Sequence, residues 1–463
     1  MSLWTAEAVA RATQGRLLNA ETAGPINGVS IDTRGLVPGD LFIALRGPHH
    51  DAHDFARAAA EAGAAALLVD RPVEVWTPQI VVPDTGAALE ALAHHRRWEA
   101  TQAFVLGITG SVGKTGTKEL AAAGFATLGR THATIGNLNN HYGVPLTLAR
   151  MPVDTRFAVI EMGMSAPGEI RALTRLVRPD AALITWVSAA HSAFFNSTVE
   201  IADAKAEIVE GLSAADGAEN ANARGLAVLP ADNPYFERLK EHAMRFASQV
   251  RSFGSQEGAD LRLSTDSRNG TRYINGIPVR LQLAGDQWYA ALAALLAVLP
   301  ALQATEAQTA AFIDGASTVT PLKGRGLKLN ISGIDGGGAL LIDESYNASP
   351  ASMEAALKLL AETPTAGRRV AVLGDMLELD DPATEHARIG RFIAALSIDR
   401  VYICGDHREA LRTQLRPDQR GETAPKALDL YAGIAQHVRS GDTWLVKGSL
   451  GSGVHRIVDK LTS

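Results

Sequence analysis

The stretch "GITGSVGKTGTKE", residues 107–119, decides how the rest of the chain is read. It follows the apolar run "AFVLGI" (103–108) and opens the helix-forming run "TKELAAAGFATLG" (117–129). A strand, a glycine turn and a helix in that order aim backbone N–H groups at phosphate oxygens, and the helix N-terminus favours their negative charge. Lys114 is expected to reach the β- and γ-phosphates of a nucleotide and Thr115 to ligate its magnesium. The common phosphate loop places a glycine five residues before the Gly-Lys pair; here that place is Ile108, and Gly107 stands one residue further upstream.

A chain of 463 residues, 46% hydrophobic and 20% charged, has ample material for packed cores and no composition of a disordered protein. The formal charge of −6 argues against nucleic-acid binding as a partner class. Cys404 is the single cysteine, so no internal disulfide forms and a reducing, cytoplasmic location is expected. The start "MSLWTAEAVARATQG" has no basic stretch followed by an apolar one, so it does not read as a secretory signal. The most apolar run, "WYAALAALLAVLPAL" (288–302), is too short to span a bilayer and reads as a buried helix, so no membrane insertion is expected.

The fold class is α/β, in three domains. Residues 1–100 carry short strands, "GDLFIAL" (39–45), "AAALLVD" (64–70) and "PQIVVPD" (78–84), around the helical pattern "DFARAAAEAGA" (54–64). Residues 101–315 repeat strand, loop and helix: "RFAVIEMG" (156–163) and "AALITWVS" (181–188) are continuous apolar runs, as in a parallel sheet buried on both faces. Asn275-Gly276 inside "TRYINGIPVRLQL" (271–283) predicts a two-residue hairpin. Residues 316–463 hold "ALLIDESYN" (339–347), "RRVAVLGDM" (368–376), "DRVYICGD" (399–406) and "DTWLVKGS" (442–449), separated by helix-length segments in the doubly wound, Rossmann-like manner.

The displaced glycine carries a family resemblance. The loop of Mur ligases and their folylpolyglutamate synthetase relatives reads G-x-T-G-[ST]-x-G-K-[ST], and this chain is similar throughout: Gly107, Thr109, Gly110, Ser111, Gly113, Lys114 and Thr115. "IDTRGLVPGDLFIALRG" (31–47) resembles the D-[ST]-R stretch of the family's uridine-nucleotide domain. "GNLNNHYGVPLTL" (136–148), "ESYNASPASM" (344–353), "LGDMLELDDPATEHARIG" (373–390) and "LVKGS" (445–449) resemble the branch that joins D-alanyl-D-alanine to UDP-N-acetylmuramoyl-tripeptide.

That resemblance implies an ATP-dependent amide ligase of peptidoglycan precursor synthesis, acting as a monomer on those two substrates through an acyl phosphate. Residues 1–100 would bind the UDP-sugar, 101–315 ATP, and 316–463 would complete the ligase. Gly107, Thr109, Gly110, Ser111, Val112, Gly113, Lys114, Thr115 and Gly116 would cradle the ATP phosphates, with Arg325 as a further phosphate donor. The family's two magnesium ions imply Thr115, Glu161, His191 and a carbamylated Lys205 as ligands. Lys114, Lys205, Arg325 and His191 would carry the chemistry. Asp343 resembles a ribose contact, with Glu344 a close competitor, and Asn347 a contact to nucleotide or substrate. Thr33, Arg34, Asn139 and Asn140 would hold the UDP-linked peptide.

On the residues alone several of these positions have plainer readings. Glu161 reads as a solvated strand-end carboxylate, His191 as a core or rim histidine, Lys205 as a helix-surface lysine and Arg325 as an exposed loop arginine. Turn formation explains Asn139 and Asn140 nearly as well. Lys447, at a strand end before Gly448-Ser449, suggests anion binding. The branch's G-x-H-[NW]-x-x-N stretch appears as "GDQWYAA" (285–291), with Gln287 and Ala291 in place of the histidine and the adenine-holding asparagine. Ser349 and Leu450 are further departures. A sister ligase adding another amino acid, or a nucleotide-binding paralogue without catalysis, are the alternative readings.

Overall fold

The computed structural model describes residues 2–47, 50–189, 194–212, 225–283 and 285–463. Among these the strands form three sheets, of five, nine and six strands. The first two sheets lie in one compact unit; the third belongs to a second unit built on residues 319–463.

Phe104–Thr109 runs through the nine-strand sheet between Phe157–Glu161 and Ala181–Ile184, parallel to both. Every residue of these three strands is buried. A strand covered on both faces has no polar side to alternate with, hence the unbroken apolar runs. At the far edge, Arg272–Ile274 and Ile277–Val279 pair as the predicted hairpin. Its two turn residues, Asn275 and Gly276, have φ of +47° and +78°, the conformation a two-residue hairpin turn requires.

Helix Lys114–Ala126 leaves the glycine loop and packs against helix Glu306–Ser317. Phe312 meets Phe125 edge-on, with ring centroids 5.1 Å apart. The apolar run at 288–302 is helix over Asp286–Leu296 and a 3-10 turn over Leu299–Leu302. Pro300 enters at the first positions of that turn, where its missing N–H leaves no bond unmade.

The amino-terminal sheet pairs Gln79–Val81, Ala66–Val69, Asp40–Ile43 and Gly28–Ser30 in parallel, with Arg16–Leu18 antiparallel at one edge. It is tied to the central sheet and its helices by buried and part-buried bonds between distant residues. Trp4 Nε1 donates to Ala149 O at 2.8 Å, Arg150 Nε to Val29 O at 2.6 Å, and Arg97 Nε to Val177 O at 2.9 Å. Leu146 and Ala149 join the core of Trp4, Val9, Ile26, Leu41 and Leu89.

In the second unit, parallel strands Gly338–Glu344, Thr443–Lys447, Arg369–Leu373, Arg400–Cys404 and Arg420–Ala424 lie side by side, with Leu327–Ser332 antiparallel at one edge. Ile342, Leu445, Ala371 and Ile403 face the helices Pro350–Glu362 and Pro382–Ala394. Leu341, Trp444, Val372 and Cys404 face Ala427–Ala435 and His455–Thr462 on the other side. Alternate residues of each strand therefore feed two cores, which is the doubly wound arrangement. No helix among the described residues is long and apolar enough to cross a membrane.

A methyl group at Gly124 would lie 2.6 Å from the Phe312 ring. Gly124→Ala should therefore destabilise the protein by about 1–3 kcal/mol in denaturant unfolding, despite the better helix propensity of alanine. The loss should shrink in a Phe312→Leu background, and an equal loss in both backgrounds would show that the two positions are uncoupled.

Candidate active site

The strand Phe104–Thr109 ends in the loop 110–113, and the next helix begins at Lys114. Gly113 has φ of +85°, and a Cβ at Gly110 would stand 1.9 Å from Thr185 Oγ1. Only glycine fits that approach. The loop is held from the neighbouring strand end: Thr185 Oγ1 donates to Val112 O at 2.6 Å, and Ser111 N to Trp186 O at 2.7 Å. Thr109 Oγ1 donates to Met162 O at 2.8 Å. Lys114 Nζ folds over the loop to Gly110 O at 2.6 Å. Gly107 lies inside the strand, where a Cβ would fall 2.6 Å from Met162 Cε. The displaced glycine thus packs within the strand against the end of the Met162 side chain, while the close approach in the loop itself is made by Gly110.

Glu161 ends the adjacent strand and is 1% exposed, so it is a buried carboxylate and not the solvated one that its strand-end position suggests. Its N–H donates to Thr134 Oγ1 at 3.0 Å, and its Oε1 accepts from Asn139 Nδ2 at 2.7 Å. Oε2 is buried without a hydrogen-bond partner. A buried polar atom left so is costly and calls for a missing group, and a hard cation suits a carboxylate oxygen. Asn140 Oδ1 accepts from Tyr142 N and Gly143 N at 3.2 and 2.9 Å, which starts the helix Gly143–Ala149. The turn reading therefore accounts for Asn140, whereas Asn139 faces the carboxylate.

Lys205 is likewise 1% exposed, the opposite of a helix-surface lysine, and its Nζ is also without a partner. Burial pushes its pKa well below the ordinary lysine value, and the charge of Lys114 pushes the same way against Glu169 and Glu207. The neutral amine is thereby favoured. The backbone beside it is anchored by Glu207, whose carboxylate accepts from Gly168 N at 2.9 Å and Arg171 N at 3.0 Å, across the first turn of helix Glu169–Val177. His191 lies outside the described residues.

In the second unit, Arg325 sits in a turn with its N–H on Leu322 O, and its guanidinium lies 4.2 Å from the centre of the Tyr346 ring. Asp343 is fully buried. Its Oδ2 accepts from Gly324 N at 2.7 Å, and its Oδ1 from Ser345 N and Oγ at 3.1 and 2.5 Å. Lys447 Nζ donates to Asn347 O at 3.0 Å and stands 3.4 Å from Glu344 Oε2. Asn347 Oδ1 accepts from Ala348 N at 2.9 Å.

Comparison with known proteins agrees with this geometry. Residues 25–97 match the Mur ligase family catalytic domain, 108–299 the Mur ligase middle domain, and 331–450 the Mur ligase glutamate ligase domain. Two relatives are named UDP-N-acetylmuramoyl-tripeptide–D-alanyl-D-alanine ligase. The one from Bacillus subtilis is 35% identical over 99% of this chain and 98% of its own. The one from Escherichia coli is 37% identical over 86% of each. The chain belongs to the Mur ligase family.

Among solved structures, MurF from Acinetobacter baumannii superposes with a TM-score of 0.82 at 28% identity, covering 99% of this chain and 98% of that one. The MurF ligase from Thermotoga maritima in complex with ADP gives 0.72 at 26%, covering 94% and 97%. Within this Mur ligase chain, Thr33 and Arg34 stand in a short turn after strand Gly28–Ser30; the Arg34 side chain is 89% exposed and paired with Asp32. In the stretch that departs from the family pattern, Gln287 is exposed and the Trp288 ring lies on Gly116, leaving no room there for a Cβ. Ser349 keeps a helix-starting role, with a capping box to Ser352.

Sequence reasoning missed three buried polar side chains, Lys118, Asp375 and His386. Asp375 accepts from Asp406 N and His407 N at 2.7 and 3.2 Å. His386 beside it accepts from Met376 N at 3.1 Å through Nε2, and its Nδ1–H donates to Pro382 O at 2.6 Å. Burial lowers the His386 pKa, which favours the neutral ring that this pair of bonds requires. Their signal was present in "LGDM…H", but only as a motif without a partner.

An amine buried without a partner does not stabilise a fold. Lys205→Met should therefore melt at the same temperature as the parent or higher in metal-free, carbonate-free buffer, while losing activity. A melting point several degrees lower would mean that Lys205 has a structural partner.

Proposed function

We propose that this chain joins D-alanyl-D-alanine to the terminal carboxylate of UDP-N-acetylmuramoyl-tripeptide with ATP, as a monomer, in the cytoplasmic synthesis of peptidoglycan precursors. The two relatives named for that reaction support the substrates. The observation that carries the chemistry is a phosphate loop accompanied by two buried groups without hydrogen-bond partners, Glu161 Oε2 and Lys205 Nζ. A nucleotide-bound cation would complete the first directly, and the second once its amine is carbamylated.

A free carboxylate resists amines because it has no good leaving group. Transfer of the γ-phosphoryl group to it releases ADP and gives an acyl phosphate. The dipeptide amine then attacks the acyl carbon, and the tetrahedral intermediate expels phosphate as the amide forms. The N–H groups of the 110–113 loop bind the ATP phosphates, and Lys114 and Arg325 neutralise charge on the group in transit. Bound magnesium supplies further positive charge to those oxygens. Thr115, Glu161, His191 and a carbamylated Lys205 are its protein ligands in our reading, for two ions. The neutral Lys205 amine attacks carbon dioxide, forming an N–C bond and losing one proton to solvent. The product is an anion where an ammonium would repel metal. Among the described residues, which do not include His191, no three His, Cys, Asp or Glu side chains gather into a metal site.

The three parts divide the work: 1–100 holds the UDP-sugar through Thr33 and Arg34, 101–315 holds ATP, and 316–463 completes the ligase. Two assignments are revised on the geometry. Asp343 has both oxygens engaged internally, so Glu344, on the more exposed side of the same strand end, is the better ribose contact. Lys447 braces the 344–347 loop through Asn347 O, so its effect on substrate passes through Asn347.

Phosphate release should require ATP, the UDP-tripeptide and D-alanyl-D-alanine together. Lys114→Ala should lower the rate by about 100-fold or more with an unchanged melting temperature. Phosphate release at the parental rate by that variant, or with the dipeptide omitted, would contradict the reading.

A further inference from the structure

We propose that Lys118 is a positioning residue: through Thr134 it locks the phosphate-loop helix to the strand end that presents Glu161, and so sets the geometry of the metal ligands. The inference rests on the metal reading given above and adds a residue that this reading does not use. Lys118 lies one helical turn beyond Lys114, on the same helix face. Its side chain is 2% exposed, so a charged ammonium there needs a counter-charge and hydrogen-bond acceptors. Nζ donates to Thr134 O at 2.7 Å and stands 2.7 Å from Glu119 Oε1.

Thr134 is a junction. It follows the strand Thr131–Ala133 at the edge of the sheet, and its own N–H donates to Val159 O at 3.0 Å. Its hydroxyl accepts from Glu161 N at 3.0 Å. Its carbonyl is the acceptor for Lys118. One residue thus ties three elements: the helix that carries Thr115, the edge strand, and the strand end that carries Glu161. A carboxylate and a hydroxyl serving one metal must hold their spacing to within about half an ångström. The sheet ladder fixes Glu161 relative to its own strand, and the Lys118–Thr134–Glu161 chain fixes it to the helix. A charged donor makes the stronger bond for that task.

The test is manganese binding to the full chain with saturating ADP, read as loss of the free-ion paramagnetic signal, with magnesium-dependent kinetics alongside. Lys118→Met keeps the stem and removes the donor. Thr134→Val keeps the carbonyl and removes the hydroxyl. Each should weaken manganese binding by about 5- to 50-fold, with kcat at saturating magnesium falling less than the magnesium affinity. The double variant should be no worse than the weaker single one, as coupled sites are. Manganese affinity at the parental value in Lys118→Met, even with a lowered melting temperature, would overturn the proposal. If Lys118→Met does not fold, Thr134→Val decides alone by the same criterion. Glu161→Gln separates the two readings. Its loss of manganese binding while Lys118→Met binds normally sinks only the positioning role, whereas its normal binding sinks the metal assignment and this proposal together.

Discussion

The constraint on which the site depends is a carboxylate placed where water cannot reach it. Glu161 is buried at the end of a parallel strand, with its backbone N–H taken by Thr134 and one oxygen by Asn139. The second oxygen has no partner. An isolated charge in such a place is unstable unless something positive completes it. The neighbouring strand, in register through Ile108 and Glu161, leads directly into the phosphate loop. The loop, the helix behind it and the Thr134 junction are therefore joined, and in the proposed function they hold that oxygen for a cation beside bound phosphates.

Lys205 is the complementary half. A second unpartnered group, of the wrong sign for a metal, is held in the same unit with its charged form disfavoured. Lys114 contributes to that disfavour and at the same time covers the loop through Gly110 O. Conversion of the amine to a carbamate would turn repulsion from Lys114 into attraction, and would relieve the cost of burying an unpaired polar atom. Under the proposed function a nucleotide-bound metal would answer both orphaned groups, Glu161 directly and Lys205 as its carbamate.

Much of this was legible in the chain. The strand–loop–helix order around Gly110–Lys114, the buried parallel strands and the Asn275-Gly276 hairpin are local patterns, fixed by periodicity and turn chemistry within a few residues. The plain readings of Glu161 and Lys205 failed because burial is set by distant segments: Asn139 is 22 residues from Glu161 in sequence. Asp343 resembled a ligand contact, yet Gly324, 19 residues before it, occupies one of its oxygens. Lys118 went unremarked in the sequence, because the carbonyl it serves, Thr134 O, belongs to another element. Side chains that answer to remote backbone groups have no signature in the spacing of their own neighbours.

The central claim is that Lys205 becomes a carboxylate-like metal ligand, and carbon-13 NMR of the protein equilibrated with labelled bicarbonate, magnesium and ADP tests it most directly. The account predicts one slowly exchanging carbamate resonance in the parent chain, absent from Lys205→Met and retained in Lys118→Met. A parent protein that shows no protein-bound labelled carbon, while turning over substrate in the same buffer, would contradict it.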